Sequence, residues 1–115
     1  MHELGIANSL LEAVRAEALH HPGARFVKLA VRVGELAGVD PEALAFSFQA
    51  LTAGTEWERL ALEIQTKPRQ HRCPGCGTSF RIVDYNFTCP DCGALRTECI
   101  SGSELELAYL EMEEP

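Results

Sequence analysis

The sequence predicts an α+β fold in which two helices cover a three-stranded sheet, with a small cysteine-rich module inserted into that sheet. Two stretches carry apolar residues three and four positions apart, the spacing of an amphipathic helix. Three others alternate apolar and polar residues, as half-buried strands do. Four closely spaced cysteines fall between the second and third of these strands. Because three strands are few, we expect the last to pair with the earlier two, which makes the cysteine-rich segment an insertion.

The first helix is predicted from about residue 3 to residue 20, ending where Pro22 and Gly23 follow a pair of histidines. Its predicted buried stripe consists of Leu4, Ala7, Leu11, Val14 and Ala18, widened by Ile6, Leu10 and Leu19. Asp40 and Pro41 open the second helix as N-cap and first helical residue, and Gly54 ends it. The residues expected on or beside its buried face are Leu44, Phe46, Phe48 and Leu51.

The three predicted strands follow from period-two alternation. In the first strand the core-facing residues are expected to be Val27, Leu29, Val31 and Val33, alternating with Phe26, Lys28, Ala30 and Arg32. The second strand is predicted from the alternation of Leu60, Leu62 and Ile64. The third alternates glutamates with Leu105, Leu107 and Tyr109.

The four cysteines form two copies of Cys-Pro-x-Cys-Gly, residues 73–77 and 89–93, with the spacing C-x2-C-x12-C-x2-C. Proline fixes φ at the start of each turn and glycine accepts the positive φ needed to leave it, so both sulfurs of a pair reach one ion. Four thiolates predict a closed, structural zinc site in a zinc-ribbon-like four-cysteine module, with the ligands Cys73, Cys76, Cys89 and Cys92. Rubredoxin-type iron also accepts four thiolates and stays open at this point.

Two further side chains near this module have an ordinary interpretation. His71 precedes the first cysteine pair and is expected to be a solvated linker histidine, although it could replace a thiolate in a rearranged shell. Cys99, the fifth cysteine, has no obvious partner and is expected to be a buried or idle thiol.

Composition excludes several functions. The net charge of −7 without a basic stripe argues against nucleic-acid binding and favours cations or basic protein surfaces. No apolar run is long enough to cross a membrane, the start does not resemble a signal peptide, and paired cysteines suit the reducing cytoplasm. Nucleotide-binding loops and nucleophile elbows are missing from the sequence, so we expect a protein that is not an enzyme.

The start of the chain, Met1-His2-Glu3, offers a different kind of site. An α-amine, the following amide nitrogens and an imidazole can form a planar all-nitrogen shell, which Ni(II) and Cu(II) accept. From these three residues alone, a surface histidine and a carboxylate favoured by the helix dipole are the simpler interpretation.

An ordered set of motifs along the whole chain resembles the HypA family, the nickel metallochaperones of [NiFe]-hydrogenase maturation. These motifs are Met1-His2-Glu3, Ala7-Asn8-Ser9-Leu10, Val33-Gly34-Glu35-Leu36, Phe46-Ser47-Phe48 and the two cysteine pairs. The resemblance implies delivery of Ni(II) to the hydrogenase large-subunit precursor with a HypB-type GTPase and, in some bacteria, a role in urease maturation.

The resemblance also implies a ligand set. Nickel binding carries over to His2, with the Met1 amine and the amides of His2 and Glu3 as candidate donors. Some relatives have a histidine in the stretch that here holds Thr97, Glu98 and Cys99, and its loss puts any nickel donor from that region in doubt. His20 and His21 could hold a second metal, although a helix C-terminus also favours such cations.

The expected organisation is a nickel-binding α+β domain of residues 1–67 plus 101–115 and a zinc-binding domain of residues 68–100. Two other functions stay open. One is a zinc-ribbon protein-interaction adaptor that carries no nickel. The other is a rubredoxin-like electron carrier, which needs iron at the four cysteines.

Overall fold

The structure is a computed structural model that describes residues 2–115. Its elements, in chain order, are α1 (Glu3–Ala18), β1 (Arg25–Gly34), α2 (Pro41–Thr52), β2 (Ala61–Lys67), β3 (Gln70–Arg72), β4 (Ser79–Arg81), β5 (Glu98–Ser101) and β6 (Leu105–Glu113). They are arranged along an elongated molecule of 56 × 26 × 16 Å. Within residues 2–115 no helix has the length and apolar character that a membrane crossing requires.

The main sheet has the strand order β2-β1-β6. The central strand β1 runs parallel to β2, with Leu29 opposite Leu62, and antiparallel to β6, with Leu29 opposite Leu110. The third strand therefore returns to pair with β1 after the cysteine-rich segment, and the predicted α+β fold with an inserted module is confirmed.

Both helices pack into one core with the central strand. The buried members of that core are Ile6, Ala7, Leu10, Leu11, Val14, Phe26, Leu29, Val31, Val33, Leu44, Phe48 and Leu60. The side chain of Asp40 caps α2 by accepting from the Glu42 N–H at 3.0 Å, as its sequence position predicts. Leu4 and Leu19, which were expected in the buried stripe of α1, are exposed, and so is Phe46, which was expected beside the buried face of α2. Leu19 follows the last residue of α1 as its C-cap, and Phe46 lies two residues from both Leu44 and Phe48, so it faces away from them.

Two bulges change which residues face the core. The register between β1 and β6 skips Val27, so Phe26 enters the core and contacts Trp57 edge-on, and Val27 is only half-buried. A second skip, at Ala108, turns Tyr109 to the opposite face of the sheet, where its hydroxyl bonds to Glu63. The predicted strict alternation was therefore wrong at these two points.

The inserted segment forms a second antiparallel sheet of order β4-β3-β5. Gln70 at the start of its central strand lies opposite both Arg81 and Ser101. Its small interior contains His71 and Ile82, both buried, and the His71 ring packs against Phe80 and Phe87.

The two sheets are joined where three chain segments cross. The Gly34 N–H donates to the Glu104 carbonyl at 2.7 Å, and the Glu35 N–H donates to the Lys67 carbonyl at 2.8 Å. The Glu35 carboxylate accepts from the Arg69 N–H at 2.8 Å, which ties the first segment to the start of the inserted sheet. Backbone and side-chain hydrogen bonds therefore connect the two sheets directly.

Candidate metal sites

The first cysteine pair lies on a tight turn. The Gly77 N–H donates to the Cys73 carbonyl at 2.8 Å, and the Cys73 N–H donates to the Thr78 carbonyl at 2.9 Å. Gly77 has a φ of 78°, which L-residues other than glycine adopt at a cost. The turn therefore places both cysteines of the pair on the same side of the backbone.

The second pair repeats this turn. The Gly93 N–H donates to the Cys89 carbonyl at 3.0 Å, the Cys89 N–H donates to the Ala94 carbonyl at 2.9 Å, and Gly93 has a φ of 75°. The repeated Cys-Pro-x-Cys-Gly motif thus gives one local structure twice, as the sequence pattern predicts.

The four sulfur atoms of the two turns meet. The Sγ atoms of Cys73, Cys76, Cys89 and Cys92 all lie within 4.8 Å of one another. Across the turns, the Sγ atoms of Cys73 and Cys92 are 3.5 Å apart, and those of Cys76 and Cys89 are 3.6 Å apart. Tetrahedral zinc with thiolates at about 2.3 Å separates its sulfurs by about 3.8 Å, so this arrangement fits a four-thiolate ion. Within residues 2–115 this is the one cluster of three or more such ligand groups.

Each turn contributes one buried and one exposed sulfur. Cys73 and Cys89 are buried, whereas Cys76 and Cys92 are exposed. The contact with Thr78 lowers the pKa of Cys76 to about 6. The Ala94 N–H favours the thiolate of Cys92, but the neighbouring thiols of Cys73 and Cys89 outweigh it and raise the pKa of Cys92 to about 12. Four such sulfurs do not all ionise without a cation, so metal binding at this cluster releases protons.

His71 is not the solvated linker histidine that the sequence predicted. Its ring is buried and stacks on Phe87 at a centroid distance of 5.4 Å. Arg69 Nε donates to its Nε2 at 3.1 Å, and its Nδ1 lies 2.9 Å from Thr97 Oγ1, whose hydroxyl donates to the Phe87 carbonyl. Burial, and then the charge of Arg69, lower the pKa of His71. The His71 ring is therefore neutral, belongs to the small interior of the second sheet, and lies outside the sulfur cluster.

Cys99 was expected to be a buried or idle thiol, and the structure shows that it is not buried but exposed on β5. Its thiol donates to the Ser101 carbonyl at 3.3 Å. Cys99 therefore lies in the inserted sheet as an exposed thiol outside the cluster of the other four cysteines.

The candidate nickel site lies at the start of α1. Met1 is outside the described residues. His2 is exposed at the N-cap with an extended backbone, and its side chain makes no capping hydrogen bond. The Glu3 carboxylate accepts from the Asp40 N–H at 3.3 Å, which holds the start of α1 beside the start of α2. An amide at the first turn of a helix has no intrahelical acceptor, so the Glu3 nitrogen is available for other partners.

The other histidine pair follows α1. His21 Nε2 lies 3.3 Å from Glu17 and its Nδ1 lies 3.8 Å from Glu114, and both carboxylates are largely exposed. These contacts make His21 a bridge between the end of α1 and the end of the chain, and they do not form a cluster with His20.

The fold and the cluster define a class: a small α+β protein that carries a four-cysteine metal module inserted before its last strand. A family model described as hydrogenase/urease nickel incorporation, metallochaperone, hypA matches residues 1–112. The chain therefore belongs to the HypA family, and the resemblance found in the motifs is confirmed.

Two curated relatives show how similar the sequences are. The hydrogenase maturation factor HypA of a Roseiflexus species is 42% identical over 99% of this chain and 94% of its own length. The HypA of Geobacter sulfurreducens is 38% identical over 98% of this chain and its whole length.

Solved structures share the fold at lower identity. A solution structure of a HypA protein has a TM-score of 0.71 at 22% identity, covering 100% of this chain and 98% of the other. The solution structure of the Ni metallochaperone HypA from Helicobacter pylori has a TM-score of 0.64 at 20% identity, with both chains fully covered. These two comparisons support the α+β fold with its inserted module.

Proposed function

We propose that this chain binds Ni(II) at its N-terminal segment and delivers it to the large-subunit precursor of a [NiFe]-hydrogenase. Its membership of a nickel-incorporation family supports the cargo. The observation that carries the proposal is the exposed start of α1, where His2 makes no capping bond and the neighbouring amides lack helical acceptors.

The proposed nickel ligands are the Met1 amine, the amide nitrogens of His2 and Glu3, and the His2 imidazole. Protons compete with a metal for an amine and for amides, so such a site exchanges its ion more readily than a thiolate cluster does. Anchoring of Glu3 to Asp40 leaves the backbone and imidazole donors accessible while the segment keeps its position. A carrier needs both properties, because it must hold nickel and then release it.

The second metal in the proposal is a structural Zn(II), held by Cys73, Cys76, Cys89 and Cys92. Four thiolates complete a tetrahedral shell and leave no position for water, which suits a structural ion. Because the second sheet has only a small core, the ion would stabilise much of it. We therefore divide the chain into a nickel-binding domain, residues 1–67 plus 101–115, and a zinc-binding domain, residues 68–100.

The proposed partners are a HypB-type GTPase and the hydrogenase precursor and, in some bacteria, urease maturation proteins. Residues 68–100 carry four arginines and three acidic residues, Asp84, Asp91 and Glu98, so their net charge is +1. Because the whole chain has a net charge of −7, the remaining residues have a net charge of −8. An acidic nickel-binding domain favours partner surfaces that are basic around their binding site. We place this role in the cytoplasm, where the five thiols stay reduced.

A transfer experiment tests the proposal. The protein is loaded with one equivalent of Ni(II), mixed with the GTPase and the large-subunit precursor, and separated by size exclusion for metal analysis of each fraction. We expect nickel to move to the precursor fraction from the wild type and not from a His2→Ala control. Nickel that stays with the carrier in the presence of both partners would contradict delivery.

The second candidate is a zinc-ribbon protein-interaction adaptor without nickel transfer. Apolar side chains exposed on the inserted segment favour it: Val83 is 61%, Tyr85 84% and Leu95 80% exposed. An adaptor of this kind would bind the maturation proteins equally well with and without nickel, and its His2→Ala variant would behave as the wild type does.

A further inference from the structure

The two cysteine turns are related by a local two-fold symmetry. Their backbone hydrogen bonds repeat, and Cys73 to Thr78 corresponds position by position to Cys89 to Ala94. Two sulfur contacts between the turns obey the same symmetry, since exchanging the turns converts the pair Cys73–Cys92, at 3.5 Å, into the pair Cys89–Cys76, at 3.6 Å.

Side chains break this symmetry at two positions. Thr78 occupies the place that Ala94 has in the second turn, and Asp91 occupies the place that Gly75 has in the first. The Thr78 hydroxyl donates to Asp91 Oδ2 at 2.6 Å and so links the first turn to the second. Among the described residues it is the one side-chain hydrogen bond between 73–78 and 89–94 apart from those among the sulfurs.

The link lies on the exposed side of the cluster. Cys76 Sγ lies 3.3 Å from Thr78 Oγ1, and Cys76 belongs to the exposed pair of sulfurs together with Cys92. For a metal ion to leave a four-sulfur site, at least one sulfur must move away from the others, and Cys76 and Cys92 are the two that solvent and a chelator reach. That movement must also break a short hydrogen bond to a carboxylate, which belongs to the stronger class of such bonds.

We propose that Thr78 and Asp91 are positioning residues that hold the two cysteine turns at coordination distance and slow the release of the metal ion. The proposal rests on the proposed function of the four cysteines as zinc ligands. The link acts on the distance between the turns and leaves the ligand set itself unchanged.

Zinc release from the full-length, zinc-loaded protein to a colorimetric chelator tests the link. A hydrogen bond to a charged group contributes about 1.5–3 kcal/mol, so Thr78→Val and Asp91→Ala should each release zinc about tenfold to a hundredfold faster than the wild type. The double variant should release it no faster than the faster single variant, because both changes remove the same bond. Ser79→Ala is the matched control, since this exposed neighbour lies outside the link and should leave the rate unchanged.

A transposed variant distinguishes loss of the Thr78–Asp91 hydrogen bond from a general destabilisation of the module by the substitutions. Thr78→Ala, Ala94→Thr, Asp91→Gly and Gly75→Asp together move the pair to the symmetry-related positions. A Cβ on Gly75 meets only the Cys73 sulfur, at an ordinary 3.8 Å, so the turn has room for the change. Slow release should return in this variant.

Several outcomes would overturn the link: wild-type release rates in both single variants, additive effects in the double variant, or a transposed variant as fast as the double. A wild type that binds less than one equivalent of zinc would instead contradict the four-cysteine site itself. Cobalt(II) spectra of all variants should show the same four-thiolate shell, because the ligands are untouched.

Discussion

Gly34 lies against the carbonyl group of Gly102 so closely that a Cβ atom on Gly34 would overlap it. Gly34→Ala should therefore lower the free energy of unfolding by about 1–3 kcal/mol, the usual cost of overpacking. Gly5→Ala is the control, because nothing lies within 4 Å of a Cβ there. Urea denaturation of both variants measures the difference, and equal midpoints for Gly34→Ala and the wild type would contradict the tight crossing.

Tyr109 and Glu63 form a pair on the open face of the main sheet, with the hydroxyl donating to the carboxylate at 2.9 Å. The hydrogen bond to Glu63 raises the pKa of Tyr109 from 10.0. Because the folded-state pKa is raised, the stability from this pair is complete below the unfolded-state pKa and is lost as pH rises through the folded-state value. Glu63→Gln should lower the pKa of Tyr109, measured by absorbance at high pH in a Tyr85→Phe background, and unchanged titration curves would count against the pair.

Local chemistry explains why much of the fold was predictable. Asp40-Pro41 and the two Cys-Pro-x-Cys-Gly motifs determine their own turns, so their structures follow from the residue order. The return of β6 to the main sheet was expected because the sequence predicts only three strands for it, so the last had to pair with the earlier two.

Contacts between distant segments explain what could not be predicted. The bulges at Val27 and Ala108 depend on how β1 and β6 pair with each other, which neither strand reveals alone. His71 looked solvated because its sequence neighbours are polar, and it is buried because Phe80 and Phe87 come to it from other segments. The roles of the four cysteines and of Met1, His2 and Glu3 as metal ligands stay predictions.

Cys76→Ser should remove the zinc ion and with it the order of the second sheet, because three thiolates and a hydroxyl form a poor structural site. Cys99→Ser should keep one equivalent of zinc, since this exposed thiol lies outside the cluster. Metal analysis together with amide hydrogen exchange of residues 70–101 distinguishes the two variants. Full zinc content in Cys76→Ser would mean that another group completes the shell.

An extension ahead of Met1 should impair nickel loading. It converts the α-amine into an amide, which loses its lone pair to resonance and binds metal only after deprotonation. Zinc content should stay the same, because the four sulfurs of the cluster are distant in sequence. Nickel titrations of tagged and untagged protein make the comparison, and superimposable curves would remove the amine from the proposed shell.

The nickel and zinc content of His2→Ala tests the proposed nickel site at the start of the chain. His2 is exposed and its side chain makes no capping bond, so the substitution removes an imidazole without disturbing α1. We expect stoichiometric Ni(II) binding to be lost while one equivalent of zinc remains in the cluster. Nickel binding with wild-type affinity in this variant would contradict a carrier site at the start of the chain.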